Sequence, residues 1–236
     1  MEARLTAAVF AYAGDQLAVV ECVRHLIRSG VRAWVFDDAD NRLPGWVQGD
    51  LWKMGSAYDV TRFDRRGNLN GTACAIGILE SMLMTGAEVV AKVDADTLLV
   101  HPDLFAAGNV GCCSTMTARR DAFGACYSIR RETITAALAI LRGMPDDPTA
   151  PEDLTIWSAV RATGHSFEML DHDPDGGGLA AVPLGSPVDR PERFAALTFG
   201  NRPADGWRHR DLTVALEMRR FASGIDRSRE YITLQP

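Results

Sequence analysis

The sequence predicts an α/β protein with a mixed, mostly parallel central sheet flanked by helices, and three observations carry that prediction. An apolar run from Ala3 to Tyr12, a helical pattern after it and a second run from Val31 to Phe36 make a strand–helix–strand unit. Such a unit argues for parallel strands joined by a right-handed crossover. A third apolar strand, Ala87 to Val93, follows a second amphipathic helix. Beyond it, Val110–Met116 and Phe123–Ile129 read as strands with no long helix between them, which makes the sheet mixed.

The elements follow in order. Gly14 ends the first strand, and Asp15 is a candidate N-cap for the helix that follows. Leu17, Val20, Val23, Leu26 and Ile27 recur at helical spacing, and Gly30 stops that helix. The second strand runs into Asp37-Asp38. Residues 40–49 carry Asn, Pro and Gly and read as loop. Asn68–Met84 is the second helix, and the third strand runs straight into Asp94-Ala95-Asp96. Glu132–Leu141 and Asp153–Thr163 are helical, separated by Pro145, Pro148 and Pro151. Asp171–Gly178 reads as a flexible loop. Arg210–Phe221 is a last helix with apolar spacing at Leu212, Leu216 and Met218.

With 236 residues the chain lies between one and two domains' worth of length. No internal repeat or long linker divides it, so the expectation is one domain over residues 1–236, its halves meeting near residue 100. An apolar share of 47% excludes a disordered chain. Acids outnumber bases 31 to 25, so neither nucleic acid nor an anionic membrane is expected as a bulk partner. Five cysteines without CxxC spacing exclude zinc-ribbon and thioredoxin-like sites. No run approaches the ~18 apolar residues of a membrane span, and Met1–Phe10 lacks signal-peptide character. A cytoplasmic location is expected.

Chemistry concentrates in three places. Asp94 and Asp96, at i and i+2, lie where the third strand ends, and open α/β sheets bind ligands beyond the carboxyl ends of their strands. Two hard oxygen anions there suit Mg²⁺ or Mn²⁺, with a diphosphate completing the coordination. The plain alternative is a turn bearing two solvated acids. Glu152-Asp153 opens a helix after a proline-rich loop, and its acids serve either as dipole-favoured residues of a first turn or as a general base. Residues 64–71 (DRRGNLNG) precede the second helix. Its backbone amides, with Arg65 or Arg66, are placed to meet phosphate or nucleoside groups, unless the glycines are mere turn and cap residues.

Taken together and in order, these segments resemble the nucleotide-sugar-dependent glycosyltransferases of the Rossmann-like GT-A fold, in particular family-2-like members. The loop Ala11–Asp15 matches that family's nucleotide-side loop, and Asp37-Asp38 its acid near base or ribose. Residues 68–80 (NLNGTACAIGILE) resemble its Asn- and Gly-bearing helix start, Asp94-Ala95-Asp96 its DxD metal motif, and Glu152-Asp153 the ED motif of inverting members. Residues 123–132 are similar to its acceptor-side strand. The resemblance implies a metal-dependent hexosyl transfer from a nucleoside-diphosphate sugar, with UDP the commonest nucleotide, to an acceptor hydroxyl. It implies donor contacts from Ala11, Tyr12, Asp15, Asp37, Asp38, Arg66, Asn68 and Asp94. Asp94 and Asp96 become metal ligands, and Asp153 the base with Glu152 its alternate. Many members supply a third ligand from a His before a C-terminal Phe-Gly. Thr198 occupies that position here, leaving His172 and His209 as substitutes, with His209 preferred.

Other readings use the same residues. Val93–Leu98 (VDADTL) also fits the DxDxT motif of haloacid-dehalogenase-like phosphatases, with Asp94 as nucleophile and Asp96 as acid/base. That motif usually opens its domain, whereas here a complete strand–helix–strand unit precedes it. A nucleotidyltransferase would need a Gly-rich, basic first loop that residues 11–15 lack. A non-catalytic nucleotide-sugar-binding protein would keep the pocket without needing Asp153. Trp46, Trp52, Trp157 and Trp207 are either sugar-stacking or packing residues.

Overall fold

The computed structural model describes residues 5–61, 71–112, 124–145, 147–170, 172–173, 176–182, 188, 190–199 and 210–233. Side chains are described for all of these except 172–173, 176, 210 and 227–233. The elements are β1 (Leu5–Ala11), α1 (Gln16–Arg28), β2 (Arg32–Asp37), α2 (Gly45–Lys53), β3 (Ala57–Val60), α3 (Thr72–Met84), β4 (Val89–Asp94), β5 (Thr97–Leu99), α4 (Pro102–Phe105), β6 (Val110–Cys112), β7 (Cys126–Arg130), α5 (Arg131–Leu141), α6 (Glu152–Ala162), β8 (Glu168–Leu170), β9 (His172–Asp173), β10 (Gly176–Ala181), β11 (Phe194–Thr198) and α7 (Arg210–Thr233).

Seven strands form the main sheet in the order β3-β2-β1-β4-β7-β6-β8. The pairs among β3, β2, β1 and β4 are parallel, β7 runs antiparallel to both β4 and β6, and β8 is parallel to β6. All seven residues of β1 are buried, as a central strand covered on both faces requires. Alternation then sorts its side chains: Ala7, Val9 and Ala11 join one core cluster, and Ala8 and Phe10 the other. The first cluster packs under α1, α2 and α7, and the second under α3, α5 and α6. Each fully buried Phe or Leu there contributes about 2 kcal/mol.

A second sheet, β5-β11-β10-β9, stands beside the main one. It overturns the expectation of a flexible loop over 171–178, because residues 172–173 and 176–181 are strands. Glycine-rich β10 (GGGLAA) has little intrinsic strand preference and is held by its pairing with β11 and β9. The expected loop over 40–49 is corrected too, since α2 begins at Gly45. Pro44 presets the helix entrance with φ −60°, its carbonyl accepts the Val47 amide at 2.9 Å, and Val47 and Leu51 reach the core.

The last helix is longer than its apolar spacing indicates, and of the three residues that mark that spacing Met218 alone is buried. Leu212 and Leu216 are about half exposed, at 52% and 54%, while Val214, Met218, Phe221 and Ile225 pack inward. Among the described residues, no helix is long and apolar enough to cross a membrane.

Candidate active site

The carboxyl edge of the parallel strands gathers most of the predicted residues. β4 delivers Asp94 at its last position, and a tight turn through Ala95 and Asp96 leads directly into β5. Two backbone bonds fix that turn: the Asp94 amide donates to the Ala125 carbonyl at 2.9 Å, and the Phe199 amide to the Asp96 carbonyl at 3.0 Å. β11 pairs with β5 through Thr198 and Thr97, so the Thr198-Phe199 segment lies against the Asp94–Asp96 turn.

The turn connects to the start of α6 through two residues that the motif reading passed over. Lys92 shares a face of β4 with Asp94. Its ammonium, in a side chain 3% exposed, donates to Asp94 Oδ1 and to the carbonyl of Gly124. Gly124 in turn touches the Glu152-Asp153 pair. A Cβ at that position would sit 3.2 Å from Asp153 Cβ, 3.3 Å from Asp153 Oδ2 and 3.4 Å from Glu152 Oε1. Asp94, Lys92, Gly124, Glu152 and Asp153 therefore form one connected cluster.

Tyr127 lies opposite Lys92 across the β4–β7 ladder, and the ammonium stands 6.0 Å from its ring centroid. The Tyr127 hydroxyl is buried with no hydrogen-bond partner among the described residues. Burial, then the charges of Glu152, Asp94 and Asp153, push its ionisation well above the usual phenol range. Glu152 also titrates above its ordinary value, through burial first, with Asp153 and Asp94 adding repulsion and Lys92 opposing it. Asp153 accepts the Leu154 amide at 2.8 Å on one oxygen. Lys92 and Tyr127 carried no sequence signal, since a Lys and a Tyr in strands read as ordinary packing residues.

On the other side of the turn, Asp96 shares a small cleft with Gly14, Asp15, Ala18, Asp211 and Val214. The buried Cys22 thiol next to it is pushed up by desolvation and by the charges of Asp96, Asp94 and Asp15. That negative field is one in which a divalent cation fits, with hard oxygen donors from Asp94 and Asp96. Among the described residues no three His, Cys, Asp or Glu side chains converge into a complete metal cage, so further ligands would come from substrate or solvent. Asp15 stands at the N-cap position of α1, as expected, but its side chain makes no capping bond. Asp211 of α7 does that work, accepting the Leu17 amide at 2.8 Å and the Ala18 amide at 2.9 Å.

The remaining predicted residues divide. Tyr12 folds its ring over Gly14, where a Cβ would come within 2.5 Å of Cε2, and the Ala13 amide bonds to the Asn41 carbonyl at 2.8 Å. Ala11 is buried at the end of β1, and its carbonyl accepts the Asp38 amide at 3.1 Å. Asp37 is fully buried, with its carboxylate accepting from the Leu43 amide and the Tyr58 hydroxyl. Asp38 accepts the amides of Asp40 and Asn41. Arg65, Arg66, Asn68, Trp207 and His209 lie outside the described residues, as does the side chain of His172. A cavity of about 280 Å³ is at the opposite edge of the sheet, between Thr6, Arg32, Trp34 and Ala57, and contains none of these groups.

No family model and no curated protein sequence matches the chain. Its architecture does have solved counterparts. The galactosyltransferase LgtC in complex with donor and acceptor sugar analogs superposes with a TM-score of 0.51 at 12% identity, over 93% of this chain and 95% of that one. The fold is GT-A-like. An active-site mutant of LgtC gives 0.50 at 10% identity over the same shares. Glucosyl-3-phosphoglycerate synthase from Mycobacterium tuberculosis gives 0.49 at 13% identity, over 94% of this chain and 81% of that one. At such identities the likeness is one of fold, and chemistry has to be argued from the residues.

Proposed function

We propose that the chain is a metal-dependent glycosyltransferase that moves a sugar from a nucleoside-diphosphate sugar, with a UDP-sugar the expected donor, to an acceptor hydroxyl. The observation that carries this reading is the packing of the Glu152-Asp153 helix start onto Gly124, whose carbonyl is tied through Lys92 to Asp94 at the carboxyl edge of the sheet. A strand-end acid pair alone is a common turn. One joined to a second acid pair distant in sequence, at the edge where open α/β sheets bind ligands, is a candidate catalytic centre. LgtC, of like fold, is a galactosyltransferase whose structure holds donor and acceptor sugar analogs.

In this reading Asp153 accepts the proton of the acceptor hydroxyl, and Glu152 is its alternate. Asp96 and the exposed edge of Asp94 would hold Mn²⁺ or Mg²⁺. The cation, when bound, offsets the charge that develops on the departing diphosphate. Ala11, Tyr12, Asp15 and Asp38 border the donor side, Arg66 and Asn68 are expected to complete it, and His209 is the expected third ligand. Asp37 shapes the loop over residues 38–43 from behind.

A thermal-shift panel of nucleoside diphosphates and their sugars, each with and without Mn²⁺, tests the assignment, since a ligand that binds the native state raises its melting temperature. A rise for UDP or UDP-sugar that depends on Mn²⁺ is expected. No shift for any member overturns the reading. Asp153→Asn should lower kcat of the transfer by about 10²-fold or more with donor affinity retained, because a base acts in the chemical step.

A further inference from the structure

We propose that Lys92 is a positioning residue of this site: its buried ammonium holds the Asp94 carboxylate and the Gly124 peptide together, and so sets the spacing between the metal-side turn and the Glu152-Asp153 helix start. The proposal rests on the glycosyltransferase reading for its catalytic consequence, but not for the coupling itself.

An ammonium removed from water is costly unless paired and hydrogen-bonded. Lys92 is 2% exposed as a residue, at the fourth position of a strand that is otherwise apolar up to Asp94, where an aliphatic side chain would pack at no electrostatic cost. Its partners are the Asp94 carboxylate, the Gly124 carbonyl and the face of Tyr127. Each partner belongs to a different part of the site: the end of β4, the turn before β7, and β7 itself. A Cβ at Gly124 would crowd Asp153 and Glu152 and push them back by a few tenths of an ångström. The position of its peptide therefore sets where the two acids stand.

Without the ammonium, Asp94, Glu152 and Asp153 would face one another with no cation supplied by the chain among the described residues. Their repulsion would push the turn and the helix start apart. A misplacement of about 1 Å in such a constellation costs on the order of 10²-fold in rate.

The test compares Lys92→Met, Lys92→Arg, Asp94→Asn and the double variant Lys92→Met/Asp94→Asn in the full chain. UDP-glucose and UDP-galactose with MnCl₂ serve as probes. Lys92→Met should lower kcat by about 100-fold, with donor KM changed less than about threefold. Lys92→Arg should recover part of that loss, because it restores the charge but not the geometry. The double variant should be no slower than Asp94→Asn alone, since the two side chains act as a unit.

Denaturant melts supply a readout independent of turnover. Each single variant should lower the midpoint, and the double variant should recover part of what Lys92→Met loses. Wild-type kcat in folded Lys92→Met, or a change confined to KM, overturns the positioning role. Strictly additive midpoints overturn the coupling, even where Lys92→Met folds poorly. Coupled midpoints in a wild-type protein that turns over neither sugar nucleotide uphold the Lys92 link and remove the glycosyltransferase reading instead.

Discussion

Two strands of the parallel sheet end in pairs of acids, and the pairs are put to opposite uses. Asp37-Asp38 closes β2 and Asp94-Ala95-Asp96 closes β4, along one edge with β1 between them. The first pair is turned back onto its own loop. Asp37 accepts from the Leu43 amide at 3.0 Å and from Tyr58, while Asp38 caps the amides of Asp40 and Asn41. In the second pair Asp94 accepts from Lys92, two residues back on the same strand and itself tied to the distant Gly124 carbonyl, and Asp96 lines a cleft with Asp15 and Asp211. Adjacent acids lie on opposite faces of an extended chain, so local amides can capture each separately. Asp94 and Asp96 flank the turn at Ala95, Asp94 meeting Lys92 on one side and Asp96 lining the Asp15–Asp211 cleft on the other. The difference separates acids bonded to the amides of their own loop from acids whose surroundings are built by other elements.

The sharpest way to break that contrast is to neutralise one member of each pair. Asp96→Asn should reduce transferase turnover by about 10³-fold, the scale expected when a charge that stabilises the reacting centre is lost. Its folding stability should stay within about 0.5 kcal/mol of wild type, as for substitutions away from the core. Asp37→Ala should do the reverse and cost about 2–3 kcal/mol in denaturant melts, because it leaves a buried amide and a phenol without their acceptor. If Asp96→Asn destabilises as much as Asp37→Ala, both pairs are structural. Asp38→Ala is the milder version, with an expected loss of about 0.5–1 kcal/mol for its local side chain–backbone bonds. A stability unchanged in Asp38→Ala would show that the loop over residues 38–43 is held by Asp37 alone.

The contrast also marks how far the sequence can be read. Hydrophobic periodicity gave β1, α1, β2 and β4 within a few residues, because long buried strands and amphipathic helices leave strong local patterns. Both acid pairs end a strand and differ in spacing, but the partner each finds appears only after folding. Lys92 was invisible for the same reason: its role depends on Gly124 and Asp94, one far off in sequence and the other an expected metal ligand. Asp211, which caps α1 from α7, lies even farther from the helix it serves. The second sheet escaped because β9 has two residues and β10 is glycine-rich, so pairing rather than propensity makes them strands. α2 was hidden by Pro44, Gly45 and Gly49, residues that signal loops but here start and thin a short helix.

A smaller effect tests whether the Glu152-Asp153 helix start belongs with the ligand-facing pair or with the loop-building one. Glu152 titrates above its ordinary value of 4.5, chiefly through burial. A carboxyl raised in this way favours the native state while both states are protonated, and that contribution is lost as pH rises through its folded value. Glu152→Gln removes the loss. In metal-free buffer it should melt at a higher temperature than wild type near neutral pH, with the gain shrinking to nothing below pH 4.5. Turnover should fall in the same variant, as expected where an active site retains a destabilising charge because the chemistry uses it. A variant that melts lower at neutral pH would mean that Glu152 supports the first turn of α6, as an ordinary acid at a helix start does. The helix start would then belong with Asp37-Asp38, and Asp153 alone would remain to take the proton.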